Sequence, residues 1–97
     1  MDIPYYKNFL SENSNIDIYF VDDGSIDDTR LILNKITKLH NNSYLITNNN
    51  NTGKSSVVAL GIMHALDNNY YNYIGYFDAD LSTPLEEIFR FIKKLDD

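Results

Sequence analysis

The sequence contains no cysteine, which excludes disulfides, thiolate zinc sites and cysteine nucleophiles. It also lacks any apolar run near the ~18 residues that a membrane-spanning helix requires. Its opening, Met1-Asp2-Ile3-Pro4, has neither the basic start nor the apolar stretch of a secretion signal. These absences lead to the expectation of a cytoplasmic protein without a membrane anchor of its own. Positive charge is scarce as well. Eight basic residues stand against 14 acidic ones, for a formal charge of −6, and the basic residues are scattered instead of forming a stripe. Such a chain repels a phosphate backbone, so nucleic acid is not expected as a partner.

What is present suits a folded domain. The composition is 43% apolar and 23% charged, and eight tyrosines with five phenylalanines argue against disorder. Ninety-seven residues allow one small domain, spanning 1–97, that buries about two-thirds of its unfolded surface. Apolar side chains fill nearly every position from Ile16 to Asp22, the pattern of a buried strand that ends in an acidic, glycine-containing loop. Ile32, Leu33, Ile36 and Leu39 then recur at helical spacing, preceded by Ser25 and Asp28 in the arrangement of a capping box. A second strand is expected at Tyr44–Thr47 and a second helix around Val58, Gly61, Ile62, Ala65 and Leu66. A third strand is expected at Tyr73–Phe77. The segment Thr83-Pro84-Leu85-Glu86 then supplies a cap, a proline for the first helical turn and a matching glutamate. Leu85, Ile88, Phe89, Ile92 and Leu95 share one face of that last helix. Strands alternating with helices predict an α/β fold with a mainly parallel, Rossmann-like sheet and flanking helices. Ligands of such sheets bind outside the carboxyl ends of the strands, where three loops of this sequence fall.

Asp78-Ala79-Asp80 directly follows the third strand, and in extended backbone a spacing of two turns both carboxylates to one side. Two hard oxygen donors so placed suit Mg2+ or Mn2+, with positions left for the oxygens of a diphosphate. The same pair also suits a turn in which one aspartate caps and the other is solvated. Asp22 and Asp23 can accept hydrogen bonds from a base N–H or ribose hydroxyls, or can serve the turn, whereas Asp27 and Asp28 suit a helix N-terminus. Asn51-Thr52-Gly53-Lys54-Ser55-Ser56 partly matches a phosphate-binding P-loop, but Asn48 stands where that pattern needs its first glycine. Lys54 beside a helix start can attract a phosphate; a glycine turn followed by a serine cap is the alternative. Asn48–Asn51 is a short low-complexity run. His40 and His64 have no second ligand at metal spacing and are read as surface or packing residues, and the Tyr70-Tyr71-Asn72-Tyr73 cluster as core or rim.

Three stretches, FVDDGSIDDT, the NTGK segment opening a helix with Ala59 and Gly61, and YFDADLSTPLEEI, occur in an order and spacing that resembles family 2 glycosyltransferases. DADLSTPLEEI is most similar to enzymes of the dolichyl-phosphate or polyprenyl-phosphate sugar synthase type. The likeness runs from Ile16 to Lys94. It implies a GT-A fold that binds a nucleoside diphosphate sugar, a UDP- or GDP-sugar, with a divalent metal, and transfers the sugar with inversion to a polyprenyl-phosphate, saccharide or other acceptor. By motif position it assigns Asp22 and Asp23 to contacts with the base and nucleoside, Lys54 to the loop near the nucleotide, and Asp78 and Asp80 to ribose and metal. Ser82 falls where some relatives carry a metal-coordinating side chain, although a hydroxyl is short for that.

Two features depart from the family pattern. A base-binding first strand normally precedes the VDDGS strand by a helix and a loop, yet only eleven residues separate Tyr6 from Ile18, too few for that crossover. Pro4–Leu10 therefore reads as a helix. The family's general base lies after the DxD helix, so no catalytic base is assigned, and the expectation is a donor-binding portion that does not complete catalysis alone. The missing strand would lie between the VDDGS and DxD strands, which should then pair directly or recruit a second copy through their unpaired edges. Two alternatives rank below this reading: a haloacid dehalogenase-like phosphatase, whose DxD would normally open the domain, and a non-catalytic interaction module whose acidic loops are only caps and turns.

Overall fold

A computed structural model describes residues 3–24, 28–48, 53–77 and 84–96 of the chain. Four helices and two strands follow one another as α1 (Ile3–Glu12), β1 (Ile18–Asp23), α2 (Thr29–Leu39), β2 (Ser43–Asn48), α3 (Lys54–Asn68) and α4 (Glu87–Asp96). The fold is α/β, as expected, with β1 and β2 parallel and α2 connecting them. The register pairs Ile18 with Ser43 and runs without a bulge to Asp23 opposite Asn48.

Alternation along β1 sorts its side chains onto two faces. Phe20 meets the α1 side, its ring edge-on to Tyr6 at 5.3 Å, and joins Phe9, Leu10, Leu33, Ile36 and Leu85 in the buried core. Leu45, registered with Phe20, packs against the same cluster. Tyr19 and Val21 face α3 instead. Tyr19 stacks on Tyr44 at 4.6 Å and accepts a hydrogen bond from Asn68 Nδ2 at 2.7 Å. At Gly61 a Cβ atom would stand 3.0 Å from Val21 Cγ2, so glycine there sets how closely α3 approaches the sheet. β1 thus lies between two helical layers, which is why its sequence reads as a near-continuous apolar run.

Asn42 closes the lower end of the domain. Its Nδ2 group donates to the carbonyls of Leu10, Asn13 and Ile16 at 3.0–3.1 Å, tying the end of α1 and the approach to β1 to the turn before β2. These carbonyls lie at the end of α1 and in the turn that follows, where the helical ladder has stopped; that of Asn13 also accepts from the Ile16 amide at 3.1 Å.

Two expectations are corrected, the third strand and its direct pairing with β1. Residues 73–77 form no strand. A cleft of about 1030 Å3, bordered by Ile18, Phe20, Ile74, Phe77, Ile88 and Ile92 among others, runs between β1 and residues 70–77. Ladder bonds need neighbouring strands ~4.8 Å apart, so the direct pairing across this gap does not form. The segment is held by side chains: Tyr71 donates to Asp17 and lies 2.9 Å from the Tyr19 hydroxyl, Tyr73 donates to Asp96, and Phe77 packs on the core. Burial first, then the bond to Asp17, pushes the Tyr71 phenol well above its ordinary range, so it remains a donor.

The expected capping boxes rest on Ser25 and Thr83, and what is described is the residue that completes each. Asp28 is itself the N-cap of α2, in helical backbone conformation and with no side-chain cap bond. Ser25 and Thr83 lie outside the described residues. At α4, Glu86 accepts from the Tyr5 hydroxyl, which in turn accepts from the Leu85 amide at 2.9 Å. A tertiary contact from α1 thus engages the glutamate that local spacing assigned to a cap. Leu85 and Ile88 seat the start of α4 on the core, whereas Leu95 is 67% exposed.

The close approach at Gly61 generates a prediction. Replacing a helix-interior glycine by alanine gains about 1 kcal/mol of helix propensity, but crowding a stiff valine costs roughly 1–3 kcal/mol. Gly61→Ala should therefore destabilise the chain alone and stabilise it in a Val21→Ala background. Equal effects in both backgrounds, by urea denaturation, would show that α3 does not rest on Val21.

Candidate functional site

The carboxyl ends of β1 and β2 and the start of α3 meet at one edge of the sheet. Asp22 and Asp23 are the last two residues of β1, and being consecutive in a strand they leave on opposite faces. Asp22 turns towards α2. It is 6% exposed, and its Oδ2 accepts from Arg30 Nε at 2.7 Å. Arg30 occupies the second position of α2, and its side chain remains one-third exposed. A carboxylate this buried requires a hydrogen-bonded counter-charge, and the first turn of the helix after β1 supplies it.

Asp23 turns the other way, towards α3. Its Oδ1 accepts from Asn48 Nδ2 at 2.9 Å, and its Oδ2 accepts from the Gly53 amide at 3.2 Å. Gly53 is the N-cap of α3 and has no side chain to cap with. Its φ of 98° belongs to the left-handed side of backbone space that glycine adopts without a Cβ penalty. Asp23 therefore delivers, from a neighbouring strand, the negative group that a helix start favours. Gly24, directly after β1, also has a positive φ of 77°, which lets the chain leave the strand beside these carboxylates.

Of the residues singled out in the sequence, Asp22 and Asp23 are close in the chain yet divided between α2 and α3. Lys54 begins α3 next to the Gly53 contact; its side chain lies outside what is described. Asp78, Asp80 and Ser82 lie outside the described residues. Among the described residues no three histidine or acidic side chains gather as metal ligands, and no helix is long and apolar enough to cross a membrane. His40 ends α2, its carbonyl accepting from Ser43 Oγ at 2.8 Å, and His64 is exposed on α3, as their spacing implied. Arg30 and Asn48 are the participants that sequence reasoning missed. A buried carboxylate at the end of a strand signals a need for a cation such as Arg30. Asn48 was concealed by its place at the head of an asparagine run.

The ion pair sets an expectation for stability. Arg30→Ala leaves a buried carboxylate without its partner and should cost about 2–3 kcal/mol, below the range for fully buried pairs because Arg30 is partly solvated. Asp22→Asn should cost less in the Arg30→Ala background than alone. Additive losses in a double-mutant cycle would mean that the two side chains do not act together.

Comparisons with known proteins extend the picture. Residues 6–97 match the sequence profile of glycosyl transferase family 2. An uncharacterized protein of Methanocaldococcus jannaschii is 39% identical over 97 aligned residues, which cover 94% of this chain and 42% of that relative. The chain thus spans about two-fifths of the relative's length. No solved structure matches. With the profile running through the β1 carboxylates, the start of α3 and the helix at the end of the chain, this protein belongs to glycosyl transferase family 2.

Proposed function

We propose that the chain is the donor-binding portion of an inverting glycosyltransferase that takes a UDP- or GDP-sugar and, as part of a larger enzyme, passes the sugar to an acceptor. The observation that carries this reading is the family match over residues 6–97, together with an acidic strand end tied to a helix start at the carboxyl edge of a parallel sheet, where α/β folds bind ligands. Asp23 is the residue of choice for nucleoside hydroxyls or a base N–H, since its carboxylate, held by Asn48 and the Gly53 amide, stands at the strand end beside the start of α3. Asp22, neutralised by Arg30, shapes the floor beneath it. Lys54 at the start of α3 brings positive charge towards a diphosphate.

Asp78 and Asp80 are two hard oxygen donors spaced by two residues, a set that suits Mg2+ or Mn2+. Bound there, the metal would supply Lewis-acid stabilisation of the nucleotide leaving group. Phe77, packed on the core, anchors the chain immediately before this pair. The similarity of DADLSTPLEEI to lipid-phosphate sugar synthases favours a polyprenyl-phosphate acceptor at the cytoplasmic face of a membrane, with a saccharide as the other acceptor class.

The test is a titration of UDP, GDP and their sugars with and without Mn2+, in the native chain and in Asp80→Ala. Metal-dependent binding, weakened at least about tenfold in the variant by loss of a charged ligand, is expected. Binding that ignores both the metal and the substitution would overturn the role of the pair. Absence of nucleotide binding would overturn the donor reading.

Among the described residues β1 has a strand neighbour on one side and residues 73–77 form no ladder, which also favours association of two copies, because a sheet edge offers backbone donors and acceptors to another strand. Sedimentation over a range of micromolar concentrations should show a concentration-dependent dimer. A monomer throughout that range would end this proposal.

A further inference from the structure

Asn48 heads a run of asparagines, yet its side chain is committed. It stands opposite Asp23 in the parallel register, and its Nδ2 donates to Asp23 Oδ1 at 2.9 Å. The other oxygen of the same carboxylate takes the Gly53 amide at 3.2 Å. One bond alone would leave the carboxylate free to rotate about its Cβ–Cγ axis. Two bonds, to different oxygens and from different elements, fix both its position and its plane. Both have an ionised acceptor, the stronger class of hydrogen bond.

The chemistry of position 48 is narrow. The residue must be short enough to meet an aspartate directly across a parallel pair, and it must donate. Alanine reaches nothing, aspartate brings a like charge, and glutamine carries the same donor one methylene further out. Asparagine meets both conditions. Gly53 has no side chain with which to cap α3, so Asp23 supplies the negative group from β1, and Asn48 orients Asp23.

We propose that Asn48 is a positioning residue for the candidate nucleotide site: by orienting the Asp23 carboxylate it holds Gly53, and with it the start of α3 that carries Lys54, against the carboxyl end of β1. The functional half of this inference rests on the donor-binding reading; the coupling of Asn48 to Gly53 rests on the hydrogen-bond geometry alone. Asn48 thus acts through Asp23 and not by touching a ligand.

The experiment uses the isotopically labelled 97-residue chain and its Asn48→Ala, Asn48→Asp and Asn48→Gln variants. Amide hydrogen exchange and the 1H–15N signal of Gly53 are read first, followed by titration with UDP and GDP in the presence of Mn2+. Asn48→Ala should speed Gly53 exchange roughly three- to tenfold, about the net size of one ordinary hydrogen bond, because Asp23 keeps its own bond to Gly53, while amides in the second half of α3 keep their rates. Asn48→Asp should exceed that effect, and Asn48→Gln should recover part of it. Nucleotide affinity should fall in the same order.

Unchanged Gly53 exchange in both the alanine and aspartate variants would overturn the coupling. A uniform rise across α2 and α3 would show a merely structural side chain and overturn the positioning role. Faster Gly53 exchange with undiminished affinity, in a chain that binds nucleotide, would overturn the link to the site. If the native chain binds neither nucleotide, the donor reading and the functional half fall together, and the exchange of Gly53 still decides the coupling.

Discussion

The register of the β1–β2 pair is the constraint on which the rest of this domain depends. Pairing Ile18 with Ser43 places Phe20 beside Leu45 over the core, Tyr19 on Tyr44 beneath α3, and Asp23 against Asn48 at the far end. Because side chains alternate, a slip of one residue would turn each of these to the wrong face. Phe20 would leave the aromatic core under α1, Val21 would leave Gly61 of α3, and Asp23 would lose its bond to Asn48. Register here is specified twice, by burial in the middle of the ladder and by polar contacts at its end.

At that end two adjacent carboxylates are stabilised by different means. Asp22 is withdrawn from water, and the Arg30 guanidinium offsets the cost. Asp23 is less buried and draws on neutral donors, one from a side chain and one from a helix start. The consequence is mechanical as much as electrostatic. β1 is joined to α2 on one face and to α3 on the other, so the strand end, the natural ligand-facing edge of a parallel sheet, is held from both sides. Catalytic and binding groups gain their precision from such supporting contacts.

Before the DxD pair, residues 73–77 form no strand and are held by side chains instead of a ladder. Residues 73–77 have the β-branched and aromatic content of a strand, but a cleft separates them from β1. Tyrosine hydroxyls compensate by reaching acidic side chains at Asp17 and Asp96, and Phe77 takes a place on the core. These contacts fix points along the segment without satisfying its backbone as a ladder would. The same substitution of tertiary for local contacts recurs at α4, where Tyr5 takes up the carboxylate of Glu86.

Periodicity located two strands and the helices after them, and it also suggested a strand at Tyr73–Phe77 that does not form. The apolar run from Ile16 to Asp22, the short strand pattern at Tyr44–Thr47 and the helical spacing after each announced a parallel α/β unit, because burial on two faces of a strand and one face of a helix leaves a recognisable pattern. The motifs DDGS and DADLSTPLEEI also determined the family, and Asp22 and Asp23 were legible as residues of the strand end. Only tertiary structure decided what those residues do. That Asp22 is neutralised by Arg30, that Asp23 caps a helix begun thirty residues later, and that Asn48 is more than part of a polar run depend on which elements meet in space. Whether an extended segment becomes a strand is likewise set by its neighbour. The reason is the same in each case: hydrogen bonds and ion pairs at this site join residues distant in the chain, and local patterns carry no record of them.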